Sequence, residues 1–78
     1  MEIKDLLYKV EIELRTARIK YKPFNSTHEG YAVIAEELDE LWDLVRKNKG
    51  YQMSDLRMEK ECIQIAAMAL AFIIDLEN

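Results

Sequence analysis

Apolar positions along this chain recur at helical spacing in three stretches, separated by two short polar breaks. The first stretch runs from about Ile3 to Tyr21. Within it Ile3, Leu6, Leu7, Val10, Leu14 and Ala17 return every three or four residues, the period of one helix face. "YKPFNST" interrupts the pattern, because Pro23 lacks an amide proton and biases Lys22 away from helix. The second stretch runs from about Thr27 to Lys47. Ser26, or Thr27 beside it, serves as its N-cap, and Glu29 three residues after Ser26 completes a capping box. "KNKGYQMS" ends it: Asn48 and Gly50 are stop signals, and the lysines suit a helix C-terminus. Ser54 is placed to cap a third helix, with Asp55 in its first turn, and this helix runs close to the end of the chain. Neither repeats nor strand-like alternation occur. The pattern predicts an all-α chain forming a single domain over residues 1–78.

The third stretch changes the picture. "CIQIAAMALAFII" is apolar on nearly every side, and a helix of that kind is buried all round. Two neighbours from the same chain cannot cover every face. The expected architecture is therefore a three-helix chain that assembles into a helical bundle by homo-oligomerisation, as a dimer or tetramer. Ala66, Ala67, Ala69 and Ala71 permit close helix approach there. Composition points the same way, since half of the 78 residues are hydrophobic in a chain too short to bury a large core alone.

Charge and rare residues remove several function classes. The formal charge of −4 argues against binding a nucleic-acid polymer, which rests on basic patches. "AAMALAFII" is too short to span a membrane, and "MEIKDLLYKVEIELR" is too charged for a signal peptide. A cytoplasmic location without membrane contact is the expectation. Cys62 is the only cysteine, which excludes an internal disulfide and fits a reducing compartment. With His28 as the only histidine, finger or ribbon zinc sites are excluded as well. Cys62 reads as an inert core thiol and His28 as a capping or surface residue. Trp42 and Tyr31 read as packing residues. Phe24 and Tyr21 read as core lids, with stacking on a base as the alternative.

The acids of "AEELDELWDLV", residues 35–45, do not all face one way. At about 100° per residue, Ile34, Leu38, Leu41 and Val45 define the main apolar arc, and Glu36, Asp39 and Asp43 fall opposite it. Glu37 falls inside the arc and Glu40 at its edge. The seam Val33, Glu37, Glu40, Leu44 follows the spacing of core positions, yet half of it is acidic. On the third helix, Met58, Glu61, Ile65, Met68, Phe72 and Leu76 form one stripe whose only charge is Glu61, flanked by Gln64. A buried carboxylate needs a partner or a shifted pKa. Three facing one another are relieved either by a hard divalent cation, for which oxygen ligands are suited, or by ion pairs with Arg57, Lys60, Arg15 or Arg18.

These residues carry a resemblance. "EELDE" (36–40) is similar to the Glu-Glu-x-x-Glu signature of the MazG-like all-α nucleoside triphosphate pyrophosphohydrolases. "ECIQ" (61–64) stands where that family has Glu-x-x-Asp, and the likeness covers roughly residues 24 to 76. The resemblance implies helical bundles that act as dimers or tetramers. They hydrolyse nucleoside triphosphates, ribo or deoxy, to monophosphate and pyrophosphate, a hydrolase activity on acid anhydrides. It implies Mg²⁺, or Mn²⁺, held by Glu37, Glu40 and Glu61 with Gln64 in the fourth position, and Glu36 as an auxiliary acid. Arg57 and Lys60 are the nearest basic residues by sequence for the phosphates. Gln64 departs from the family's Asp, offering a carbonyl oxygen without charge. Asp75 cannot replace it, lying roughly 16 Å further along the helix. A weakened enzyme, altered metal geometry, and a nucleotide-binding or helical assembly protein without turnover all remain open.

Overall fold

Three helices account for nearly all of the chain: α1 (Ile3–Lys20), α2 (Thr27–Lys47) and α3 (Leu56–Leu76). They are seen in a computed structural model that describes residues 1–53 and 55–77, among which no strand occurs. α1 stops at Tyr21, whose backbone is extended, two residues ahead of Pro23. Ser26 caps α2, its Oγ accepting from the Glu29 amide at 3.1 Å. The return bond of the box reaches one residue further back than expected: Glu29 Oε1 accepts from the Asn25 amide at 2.8 Å. Ser54, expected to cap α3, lies outside the described residues. Asp55 is the N-cap, accepting from the Arg57 amide at 2.9 Å.

α3 is the centre of the arrangement. α1 and α2 each pack against it and make no close backbone contact with each other. α2 runs antiparallel to α3, with Gly30 beside Phe72 and Glu37 beside Gln64. α1 runs parallel to α3: Lys9 pairs with Glu59 at 2.8 Å near one end and Arg18 pairs with Asp75 near the other. Gly30 is where α2 comes nearest. It is buried, and a Cβ there would lie 2.6 Å from the Phe72 ring and 3.3 Å from the Phe24 ring. That close approach, two turns before Glu37, brings the acidic part of α2 against α3.

The core inside one chain is thin. Among the described residues its buried hydrophobic side chains are Met58, Ala67 and Ala71. This corrects several expectations. Leu38 and Val45 belong to the apolar arc by spacing, and Trp42 and Tyr31 were expected to pack, yet all four are exposed, Trp42 by 59%. Cys62, expected in the core, is exposed too. The physical reason is that α2 carries two apolar arcs. Ile34, Leu41 and Leu44 are half-buried against the rest of the chain. Tyr31, Leu38, Trp42 and Val45 lie about a quarter turn round the helix, where this chain offers no cover. α3 likewise leaves Leu70, Ile73 and Ile74 exposed. No helix among the described residues is long and apolar enough to cross a membrane.

Candidate metal centre

A spacing of three residues on α2 points Glu37 and Glu40 from one face. The antiparallel register then sets Glu61 of α3 opposite both. Carboxylate oxygens of the three lie within 4.8 Å of one another. Glu37 and Glu61 are half-buried, and Glu40 is exposed. Gln64 follows Glu61 by one turn of α3. The hydrogen-bond network orients its amide so that the nitrogen donates to Glu37 Oε2 at 2.9 Å and to Glu61 Oε2 at 3.2 Å.

None of the ion pairs formed among the described residues involves these three acids. Arg57 is turned back onto Asp55 at 2.6 Å, Arg15 is held by Glu11 at 2.8 Å, and Arg18 belongs to Asp75. The exposed Lys60 acts on Glu61 only as a nearby charge. The pairing of the seam acids with Arg57, Arg15 or Arg18, which the sequence left open, is therefore not what the fold adopts. The negative charge is felt in the titration. Burial pushes the Glu61 carboxyl above its ordinary value, and the neighbouring Glu37 pushes it further. Glu40 is raised first by the charge of Glu61, with smaller contributions from Glu36 and Asp43. Arg57 is occupied by an acid of its own, and it holds the Asp55 carboxyl below its usual range.

The donor set suits a hard divalent cation. It offers three carboxylates and an amide carbonyl, all oxygen, with no sulfur or imidazole. Oxygens on opposite sides of Mg²⁺ lie about 4.2 Å apart and on Ca²⁺ about 5 Å. Carboxylate oxygens that all lie within 4.8 Å of one another are thus spaced on the scale of ligands around such an ion. Gln64 would turn its amide over to present oxygen instead of nitrogen.

Glu36 stays on the outward face of α2, outside this cluster. Asp39 and Asp43 face solvent as expected, Asp43 pairing with Arg46 at 3.0 Å. His28 is exposed in the first turn of α2, where it borders a shallow depression with Tyr31 and Phe72, about 13 Å along the helix from Glu37.

The sequence reading missed the cleft beside the acids. A space of about 560 Å³ runs from Glu37 and Gln64 past Met68 and Ala71 to Arg18, Phe24 and Asp75. At its far end Asp75 is nearly buried. It pairs with Arg18 and accepts from the Phe24 amide at 2.9 Å. Arg18 Nη2 is buried there without a hydrogen-bond partner. One local signal existed: Asp75 is the single charge after Glu61 on α3, so it too required a partner. Which base would answer it depends on α1 lying parallel to α3. The chain matches no family model, no curated protein and no solved structure.

Proposed function

We propose that the chain is a divalent-metal-dependent nucleoside triphosphate pyrophosphohydrolase of the MazG-like kind, working as a homo-oligomer. One observation carries the reading. Glu37, Glu40 and Glu61 converge from two helices with no basic partner, and Gln64 is the adjoining donor. Glu37, Glu40 and Glu61, with the Gln64 carbonyl, would hold Mg²⁺ or Mn²⁺. The ion, when bound, supplies charge neutralisation for the phosphates and lowers the pKa of water. The residues do the rest. The three carboxylates fix where the phosphates lie at the mouth of the cleft. Glu36, one turn before Glu40 and facing solvent, would be an auxiliary acid at the edge of the site, and the proton of the attacking water passes to solvent. Water adds at the α-phosphorus, the bond from that phosphorus to the bridging oxygen breaks, and pyrophosphate departs.

Oligomerisation is supported by the exposed arcs on α2 and α3. Exposed large apolar side chains on both helices, over so thin a core, fit an interface with a second copy. A second functional reading rests on Gln64. Its amide already satisfies Glu37 and Glu61 without a cation, as a nucleotide-binding or assembly protein without turnover would require. Pyrophosphate release from a panel of ribo- and deoxynucleoside triphosphates, with Mg²⁺ or Mn²⁺, separates the two. Metal-dependent release lost in both Glu37→Gln and Glu61→Gln is the enzyme's signature. Absence of release from every nucleotide, with the variants folded like wild type, removes the hydrolase and leaves the second reading.

A further inference from the structure

The face turned away from the acids has no part in the proposed chemistry. At about 100° per residue, Glu37, Glu40 and Gln64 lie on one side of the α2–α3 seam, and Tyr31, Leu38, Ala69 and Ile73 lie on the other. Tyr31 is 72% exposed, Leu38 55% and Ile73 58%. Cys62 and Leu70 of α3 are exposed on the same side. From Cys62 to Ile74 the helix carries no charge.

The surface left open has the size of an interface. The chain exposes 6378 Å². A folded monomer of 9.2 kDa exposes about 4,900 Å² by the scaling of surface with mass. The excess, about 1,400 Å², falls within the roughly 1,000–2,500 Å² that each subunit of an obligate homodimer buries.

The chemistry of the face decides what covers it. An uncharged surface gives an acidic or a basic partner nothing to pair with, whereas it fits a second copy of itself. Let α3 meet another α3 antiparallel, about a twofold axis midway between Ala66 and Ala69. Position 62 then faces position 73, and position 66 faces position 69. The large Ile73 meets the smaller Cys62 at both ends, and the alanines let the backbones approach between them. The helix dipoles are opposed as well. A parallel pair would set Ile73 on Ile73 and Cys62 on Cys62, crowded at one end and open at the other, against the close packing of protein interiors.

We propose that two chains pack back to back through α3, antiparallel, with Cys62 of each against the partner's Ile73 and with Tyr31 and Leu38 of α2 closing the flank. The two acid clusters then open on opposite outer faces of the dimer, each built from one chain. This pairing rests on the homo-oligomer of the reading above and is independent of its metal chemistry.

The test uses the native thiol. Ile73→Cys keeps Cys62 and alters an exposed position. With oxidised glutathione it should give a disulfide-linked species of two chains, and peptide mapping should join position 62 of one chain to position 73 of the other. Wild type should stay unlinked, because its two Cys62 thiols lie about 16 Å apart along the seam, beyond the reach of a disulfide. Asp43→Cys, on the solvent side of α2, should link no more than wild type. Cys62 should also react with a thiol reagent about tenfold more slowly when nine chains in ten are assembled than in dilute solution, since only the free chain exposes it. Wild type joined through Cys62 itself would overturn the antiparallel pairing. Light scattering that shows two or four chains while Ile73→Cys stays unlinked would overturn this face and leave the homo-oligomer standing. A single chain at every concentration would overturn both, and Mg²⁺ titration would still read the acids on their own.

Discussion

Glu40 and Glu61 hold carboxylate oxygens within 4.8 Å of each other across the α2–α3 seam, with no arginine or lysine paired to either. Both are raised above the ordinary carboxylate value of 4.5, Glu40 by the charge of Glu61 and Glu61 by burial. A raised acid binds its proton more tightly folded than unfolded. Its contribution to stability is therefore fully present below the ordinary value and is lost as pH rises through the raised one. The metal-free protein should lose stability relative to Glu61→Gln as pH rises from about 4.5 toward neutrality. Urea midpoints of the two proteins across that range measure it. Adding Mg²⁺ at neutral pH should restore the wild type and leave Glu61→Gln nearly unmoved. A pH-independent difference between the two would show that the acids do not interact as described.

Gln64 gives the second prediction. Its amide now satisfies Glu37 and Glu61 without charge. Gln64→Asp adds a fourth carboxylate to the same point, and the number of charged ligands tunes affinity at oxygen sites. Calorimetric titration should show Mg²⁺ binding tightened by about tenfold. The metal-free variant should melt lower than wild type, because four acids then repel where three did. Pyrophosphate release should rise in the variant if Gln64 limits turnover. An unchanged Mg²⁺ affinity would mean that position 64 does not reach the ion.

Helix limits and the acid cluster were legible because they depend on short-range pattern. Ser26 with Glu29 marks the start of α2, and Pro23 marks the gap before it. Glu37 and Glu40 share a face by spacing alone, and Glu61 is conspicuous as the lone charge of an apolar stripe. Their convergence required only that α2 and α3 pack antiparallel across a short loop. Arg18 with Asp75 was not legible, since that pair is 57 residues apart and follows from the packing of α1 against α3. The exposure of Trp42 and Leu38 was misread for another reason. Apolar spacing says that a face seeks cover, and not whether the cover comes from the same chain.

Asp75 should matter to the fold as well as to the cleft. It joins α3 to α1 through Arg18 and to the interhelical loop through the Phe24 amide. Asp75→Ala leaves the guanidinium largely buried without its acid and frees the Phe24 amide. A loss of about 2–3 kcal/mol is expected, the lower part of the range for broken buried pairs because Arg18 keeps 29% of its side chain exposed. Denaturant titration checks this. A loss below about 0.5 kcal/mol, ordinary for surface substitutions, would mean the pair is not part of the folded core.

Gly30 sets a competition between two effects of known size. In a helix interior alanine is better than glycine by about 1 kcal/mol. At this position the added Cβ would stand 2.6 Å from the Phe72 ring. Forcing such a contact costs about 1–3 kcal/mol, so the steric term wins. Gly30→Ala should lower the melting temperature despite its higher helix propensity, and it should also weaken Mg²⁺ binding by pushing Glu37 away from Glu61. Gly50→Ala is the control. At Gly50 an added Cβ would meet only the Gln52 backbone nitrogen, at an ordinary 4.0 Å, and φ is not positive, so its variant should melt within a degree or two of wild type. Equal melting temperatures for both variants would show that α2 and α3 do not approach closely at Gly30.

The uncovered arcs make the last prediction. Trp42 is 59% exposed on α2 and Ile73 58% on α3, while the buried hydrophobic residues among those described are one methionine and two alanines. Burying a large apolar side chain contributes about 1.5–3 kcal/mol, so covering several of them would outweigh what the single-chain core supplies. Light scattering after size exclusion should give the mass of two or four chains at micromolar concentration. Trp42→Glu or Leu70→Glu should shift that mass toward one chain. Because association stabilises by mass action, each variant should also melt at a lower temperature, and the wild-type melting temperature should climb with protein concentration. A wild-type chain that stays monomeric and melts independently of concentration would show that three helices suffice without a second copy.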